Sequence, residues 1–186
     1  MAGFRLSDER YEEIKEIVVD MFDCYQVSCV PISGFEIATK MGVIVVPYSA
    51  YDGLTQTLLL KESEDGFFCE TTDGELYIFY NDAKRYGRIN HTIMHEIAHI
   101  TLNHTEDSEL ADADAEVGFF AKYALAPPVL IYKLKLDNPH EIAEVFEISL
   151  EAADYAYSYY QKWKTYGNKF FTPYEMKTLE LFKEVV

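Results

Sequence analysis

The segment RINHTIMHEIAHITLNHTED, residues 88–107, narrows the possible folds of this chain more than any other stretch. It holds four of the chain's five histidines: His91, His95, His99 and His104. Ile89, Ile93, Ile97 and Ile100 recur at helical spacing, which predicts a helix from about Arg85 to His104 with an inward apolar stripe. His95 and His99, four residues apart, then stand one turn apart on one face. That face borders the buried stripe, where an imidazole without a polar partner is costly. Two incidental histidines on a surface helix would be the plainer reading, and their place at the edge of a buried face argues against it.

Residues 95–99, HEIAH, form H-E-x-x-H within this helix. Two imidazoles a turn apart can aim at one point, which suits a tetrahedral Zn²⁺ ion. Glu96 is rotated roughly 100° from His95, so it reaches a metal-bound water without being a ligand. There it can take the proton of a water acidified by the metal, leaving hydroxide to attack a polarised carbonyl.

A third ligand must come from elsewhere, and SELADADAEVGFFAKYALAPP follows directly. It predicts a second helix from about Ser108 to Leu125, stopped by Pro127-Pro128. Glu116 borders that helix's apolar stripe of Ala113, Val117, Phe120 or Ala121, and Ala124, and it ranks first as ligand. Asp112, one turn earlier on the same side, ranks second, or orients a ligand histidine from behind. Asp114 and Glu109 are expected to be solvated. His104 reads equally as a helix-end residue meeting the dipole or as a polar partner of the site. His91, one turn before His95, could share its face but is expected rather as an exposed first-turn residue, and His140 carries no signal.

The remaining chain frames an α+β architecture. Ser7-Asp8 opens a predicted N-terminal helix with Ile14, Ile17, Val18 and Met21 on one stripe. SGFEIATKMG reads as a short helix ending near Gly42, and VIVVPY as a strand stopped by Pro47. Residues 66–80 read as two strands around an Asp73-Gly74 turn, with Asn81-Asp82 before the next helix. After Pro127 only helices are predicted: a short one, then 138–146, 149–164 and 173–183. An α-helix, a β-rich middle and consecutive helices give the α+β class.

Composition excludes some functions. A net charge of −16 repels phosphate, which disfavours unspecific nucleic-acid binding. It is concentrated in residues 1–132, with 9 Lys+Arg against 23 Asp+Glu, whereas 133–186 carry 7 against 9. No apolar run approaches a membrane span and no leader is visible near the N-terminus. Three cysteines without a C-x-x-C pair fit reduced, mostly buried thiols and a cytoplasmic location.

Read together, YIFYND, RINHTIMHEIAHITLNH and AEVGFFAKYALAPP resemble the ImmA/IrrE metallopeptidases of bacteria and mobile genetic elements, over residues 30–150. Asn81, Arg88, Thr92, His95, Glu96, His99, His104, Glu116 and Pro127 stand at that family's motif positions. His91 replaces its usual Phe, and Val117 and Gly118 replace the small residue and Asn that usually follow the ligand Glu. The resemblance implies a zincin-like core, with a small sheet packed on the H-E-x-x-H helix, and an all-helical C-terminal part. It implies one Zn²⁺, or another divalent metal, held by His95, His99 and Glu116, with Glu96 as general base. Arg88 and His104 would meet substrate or the tetrahedral intermediate, while Asp112 and Asn81 would support the ligands. The implied substrate is a helix-turn-helix repressor encoded nearby.

The expected division is a metallopeptidase domain at 1–132 and a helix-turn-helix-like segment at 133–186 packed on it. That segment offers Glu151, Asp154 and tyrosines where base-reading Arg, Lys, Asn or Gln belong. Packing or protein recognition is therefore expected there, with Tyr155, Tyr157, Tyr159 and Tyr160 as core and rim rather than a DNA surface. The alternative function is a regulator that binds a repressor without hydrolysis.

Overall fold

Ser7 starts the first helix by accepting the Arg10 backbone N–H at 3.1 Å, and α1 runs Asp8–Cys24 with Ile14, Val18 and Met21 buried. The chain is described by a computed structural model over residues 5–104, 110–167 and 170–185. Ser33 caps α2 (Gly34–Met41), which ends where Gly42 adopts φ 79°. β1 (Ile44–Pro47) leads through a 3-10 turn at Tyr48–Ala50 into α3 (Gly53–Glu62). β2 (Gly66–Glu70) and β3 (Leu76–Tyr80) form the antiparallel hairpin expected around Asp73-Gly74, with Gly74 at φ 82°. β1 joins β3 in parallel, so the order is β1-β3-β2 and β2 is an edge strand.

The sequence pattern does not reveal α3. Its leucines scatter around the helix instead of forming a stripe, leaving Leu54 76% and Leu58 58% exposed. The helix starts because Asp52 accepts the Thr55 N–H at 2.9 Å, a cap that does not depend on an amphipathic face.

The later helices follow the expected order: α4 (Tyr86–Thr101), α5 (Leu110–Leu125), α6 (Pro128–Leu134), α7 (Pro139–Phe146), α8 (Leu150–Tyr166) and α9 (Pro173–Leu181). The expected start of α5 near Ser108, with Glu109, lies outside the described residues. One apolar cluster extends from Leu6 to Phe182 and joins the C-terminal helices to the rest. Phe182 meets Phe22 edge-on at 5.8 Å, so the chain end closes on α1. Of the five tyrosines on α8, Tyr160 is buried, Tyr157 and Tyr159 are half-buried, and Tyr155 and Tyr166 are exposed. Cys24, the last residue of α1, and Cys29 are exposed and Cys69 is half-buried, against the expectation of mostly buried thiols. Among the described residues, no helix is long and apolar enough to cross a membrane.

α4 is positioned from several sides. Ile93, Met94, Ile97 and Ala98 are fully buried, and α4 packs on α2, α5, β2 and β3. Asn90, buried in its first turn, accepts the Gly34 N–H at 2.7 Å and donates to the Ile32 carbonyl at 2.9 Å. It thereby satisfies two backbone groups ahead of α2 that would otherwise be buried unpaired. On the other side β2 lies directly on α4: a Cβ at Gly66 would stand 2.7 Å from both the Phe79 carbonyl oxygen and Thr92 Cγ2. Overpacking of this kind destabilises by about 1–3 kcal/mol, and each kcal/mol lowers the melting midpoint of a chain this size by about 2–4 °C. Gly66→Ala is expected to lower the midpoint by about 3–10 °C in differential scanning calorimetry. Asn90→Ala is expected to destabilise by about 1–3 kcal/mol, since both backbone partners are left unmatched.

Candidate metal centre and active-site cleft

The four-residue spacing of His91, His95 and His99 sets their rings in a row along α4. Centroids are 6.4 Å apart for His91 and His95 and 5.1 Å for His95 and His99. Phe68 of β2 stacks on His99 at 5.8 Å. His91 is therefore not the exposed first-turn residue expected from sequence: it shares the face of His95 and lines the same cleft. Burial pushes all three imidazoles down to about 4, helped by Arg88 and Lys122 at His91 and by the neighbouring histidine at His95 and His99. At neutral pH they hold the uncharged form that a metal requires. Glu96, one step around the helix, is 7% exposed. Burial pushes its carboxyl up to about 7, opposed by the Phe68 backbone amide. That value suits a proton acceptor working near neutrality.

The end of α4 brings His104 back to the site. Leu102 is the cap and Asn103 takes the left-handed conformation at φ 54°. The His104 N–H donates to the His99 carbonyl at 3.0 Å and the Asn103 N–H to that of Ile100 at 3.2 Å. These two bonds form a Schellman closure, and Asn tolerates its left-handed position better than most residues. His104 Nδ1 thus stands 3.3 Å from His99 Nδ1, and its Nε2 is 3.0 Å from Glu116 Oε2. His104 thus stands between His99 and Glu116 at the end of α4.

Glu116 meets more than His104. Arg10 of α1 donates from Nε to Oε1 at 2.7 Å and from Nη2 to Oε2 at 2.8 Å. Arg10 holds the Glu116 carboxyl below its ordinary range, with His104 adding to the effect. The carboxylate ranked first as metal ligand is thus clamped to a guanidinium and an imidazole. Asp114, expected to be merely solvated, is exposed, yet its charge acts on both His95 and His99. A signal for it was present: Asp114, Gly118 and Lys122 recur every four residues, and Gly118, Lys122 and Leu125 line the cleft beside His91 and His95. Two neutral imidazoles and a nearby carboxylate are the donor types of a zinc site. Among the described residues, no three such side chains are yet gathered close enough to hold an ion.

The other expected residues lie further out. Arg88 donates through Nε to Asp65 Oδ1 at 3.0 Å, and a second bond from Nη2 completes the fork, so it is fixed at the cleft wall. Asn81 does not support an imidazole. Its side chain donates to the Glu64 carbonyl at 2.9 Å and accepts from the Ala83 N–H at 3.1 Å, tying the end of β3 to the lead-in of β2. Asp112 is half-buried in the first turn of α5, and Asp114 is the carboxylate that acts on both rings. The cleft, 590 Å³ in volume, runs from His95 past Gly87 and Gly118 to the turn before α8, at Ile148 and Ser149.

The H-E-x-x-H helix thus lies beneath an edge strand, with acidic side chains on the next helix. The IrrE N-terminal-like domain model of peptidase family M78 matches residues 54–158, more than half of the chain, and the chain belongs to that family. Membership gives it a protease-type domain, and the class implies a metal cofactor. No curated protein and no solved structure matches the chain.

Glu96 supplies a test that needs no metal. Its folded value of about 7 stands above the ordinary 4.5, so its contribution to stability is fully present below 4.5 and is lost as pH rises through 7. The depressed histidines act oppositely, losing their contribution as pH falls from 6.5 toward 4. They are common to wild type and Glu96→Gln, so a difference between the two isolates the carboxyl. In chelator-treated protein, urea unfolding is expected to show Glu96→Gln gaining on wild type by about 3 kcal/mol between the two pH limits.

Proposed function

We propose that the chain is a zinc-dependent endopeptidase with a zincin-like core, acting on a helix-turn-helix repressor in the cytoplasm. The observation that carries the chemistry is the pairing of neutral His95 and His99 with a buried Glu96 whose proton affinity sits near neutrality. His95, His99 and one carboxylate of α5 would hold the metal. We place Asp114 in that role ahead of Glu116, since Glu116 is already engaged by Arg10 and His104. A bound zinc would polarise the scissile carbonyl and acidify a water. Glu96 takes the water's proton and delivers it to the leaving amine. An extended substrate would lie along the outer edge of β2, across α4. Arg88, anchored by Asp65, faces that substrate from the cleft wall.

The repressor follows from the family resemblance, and the acidity of the chain supports a protein rather than DNA as the partner. Residues 1–132 would carry the chemistry and the helices of 133–186 would complete the cleft through Ile148, Ser149 and Tyr155.

Zinc content by plasma mass spectrometry should approach one ion in wild type and fall most in His95→Ala, His99→Ala and Asp114→Asn. Incubation with the helix-turn-helix repressor encoded beside the gene should yield discrete fragments. Glu96→Gln should cut about 10²–10⁴-fold more slowly. Equal cutting by the two proteins would remove Glu96 from its role. A repressor inactivated equally by Glu96→Gln, without fragments, would favour the non-hydrolytic regulator.

A further inference from the structure

Two glycines line the cleft, and packing explains only one of them. A Cβ at Gly87, in the first turn of α4, would stand 3.1 Å from the Glu147 carbonyl oxygen and 3.4 Å from the Ser149 amide nitrogen. Its bare backbone lets the turn between α7 and α8 close on α4, and that turn becomes one wall of the cleft. Gly118 is different. It sits in the middle of α5, and among the described residues a Cβ there would meet nothing within 4 Å. A glycine inside a helix destabilises relative to alanine, because it gives up more backbone freedom on folding. Neither a close approach nor a left-handed backbone offsets that loss at Gly118. What the missing side chain preserves is space, since the position opens into the 590 Å³ cleft beside His95.

The surroundings set the chemistry of that space. Leu125 of α5 is buried beside it, and Ile148, Ala152 and the Tyr155 ring present apolar surface from the start of α8. The cations at the rim are engaged: Arg88 forks onto Asp65, and Lys122 lies over the Tyr155 ring, 4.4 Å from its centre. Glu151 is exposed. Charge is thus held at the mouth, and an apolar group is what the recess desolvates without loss. The cleft falls within the about 300–1,000 Å³ that ligand pockets span, enough for one large side chain and the backbone that carries it.

We propose that Gly118 is a specificity-determining residue: its bare backbone keeps open a recess that takes one large apolar side chain of the substrate, next to the scissile bond. The recess adjoins His95 on the side toward the start of α4, so it receives a residue on one side of that bond. The α7–α8 turn supplies its wall, and the helices after residue 132 thereby share in choosing the substrate. This assignment rests on the peptidase reading proposed above.

Cleavage of a mixed peptide library by the zinc-loaded protein, read by mass spectrometry with Glu96→Gln as the blank, tests it. Wild type should show large apolar residues enriched at one fixed position near the cut. Matched peptides with Phe or Ala at that position should differ at least about tenfold in kcat/KM, the discrimination an apolar pocket gives. Gly118→Leu and Ala152→Leu both fill the recess, so each should collapse or reverse that ratio while preferences at other positions keep the wild-type pattern. Gly118→Ala should raise the melting midpoint of the metal-free protein by about 2–4 °C, as expected of a glycine kept for space and not for the fold.

Identical preferences in wild type and both leucine variants overturn the assignment. So does a preference for Asp or Glu that Lys122→Met abolishes, because charge and not size would then be read. A midpoint lowered by Gly118→Ala would mean that packing requires the glycine, which also removes the argument. Binding without hydrolysis separates this inference from the peptidase reading. N-acetylphenylalaninamide added to metal-free protein should shift the Ile148 and Ala152 methyl signals in ¹H–¹³C spectra, and Gly118→Leu should abolish the shifts. If wild type cuts neither the library nor the repressor, these spectra decide alone: shifts present keep the recess while the peptidase reading fails, and shifts absent remove both.

Discussion

Everything in this protein depends on burying one side of α4. Ile93 and Ile97 have no exposure, and the same helix carries His95, Glu96 and His99 at the border of that buried surface. Hydrophobic packing against α2, α5 and the sheet fixes the helix axis and rotation, and these fix where the imidazoles point. Desolvation then sets the chemistry, because it leaves the histidines uncharged and raises the proton affinity of Glu96. Stability and reactivity are consequences of one burial event.

Around that helix the fold uses close backbone approach and short polar ties. Gly66 lets β2 settle against Thr92, which brings Phe68 over His99 and its backbone amide to Glu96. Asn90 joins α4 to the turn before α2 through two buried hydrogen bonds. Asn103, in a left-handed conformation, reverses the chain after α4 and returns His104 to His99. None of these residues has an apolar side chain, yet each decides how close two elements can come or in which direction a side chain leaves.

Periodicity made much of this legible. The isoleucine stripe of α4, the Asp73-Gly74 turn, the helix start at Ser7 and the proline stops all became the elements expected of them. Where periodicity was silent, so was the reading. α3 has no apolar face, and its leucines remain in solvent. On α5 the local rule that a carboxylate beside an apolar stripe needs a partner was sound for Glu116, which meets a guanidinium 106 residues away. A single helix pattern contains no information about what another helix brings to its edge.

The sequence by itself determined the identity and spacing of the reactive groups: two imidazoles and a carboxylate within five residues of one helix, a second acidic helix behind them, and a strongly acidic net charge. These follow from helical geometry and Coulomb's law, which act locally or over the whole chain and need no knowledge of packing. Tertiary structure alone decided that Arg10 of α1 would hold Glu116, that the charge of Asp114 would act on the histidines and that His104 would lean on His99. Such pairings depend on which elements lie side by side in the folded chain, and only the packing of the whole core sets that.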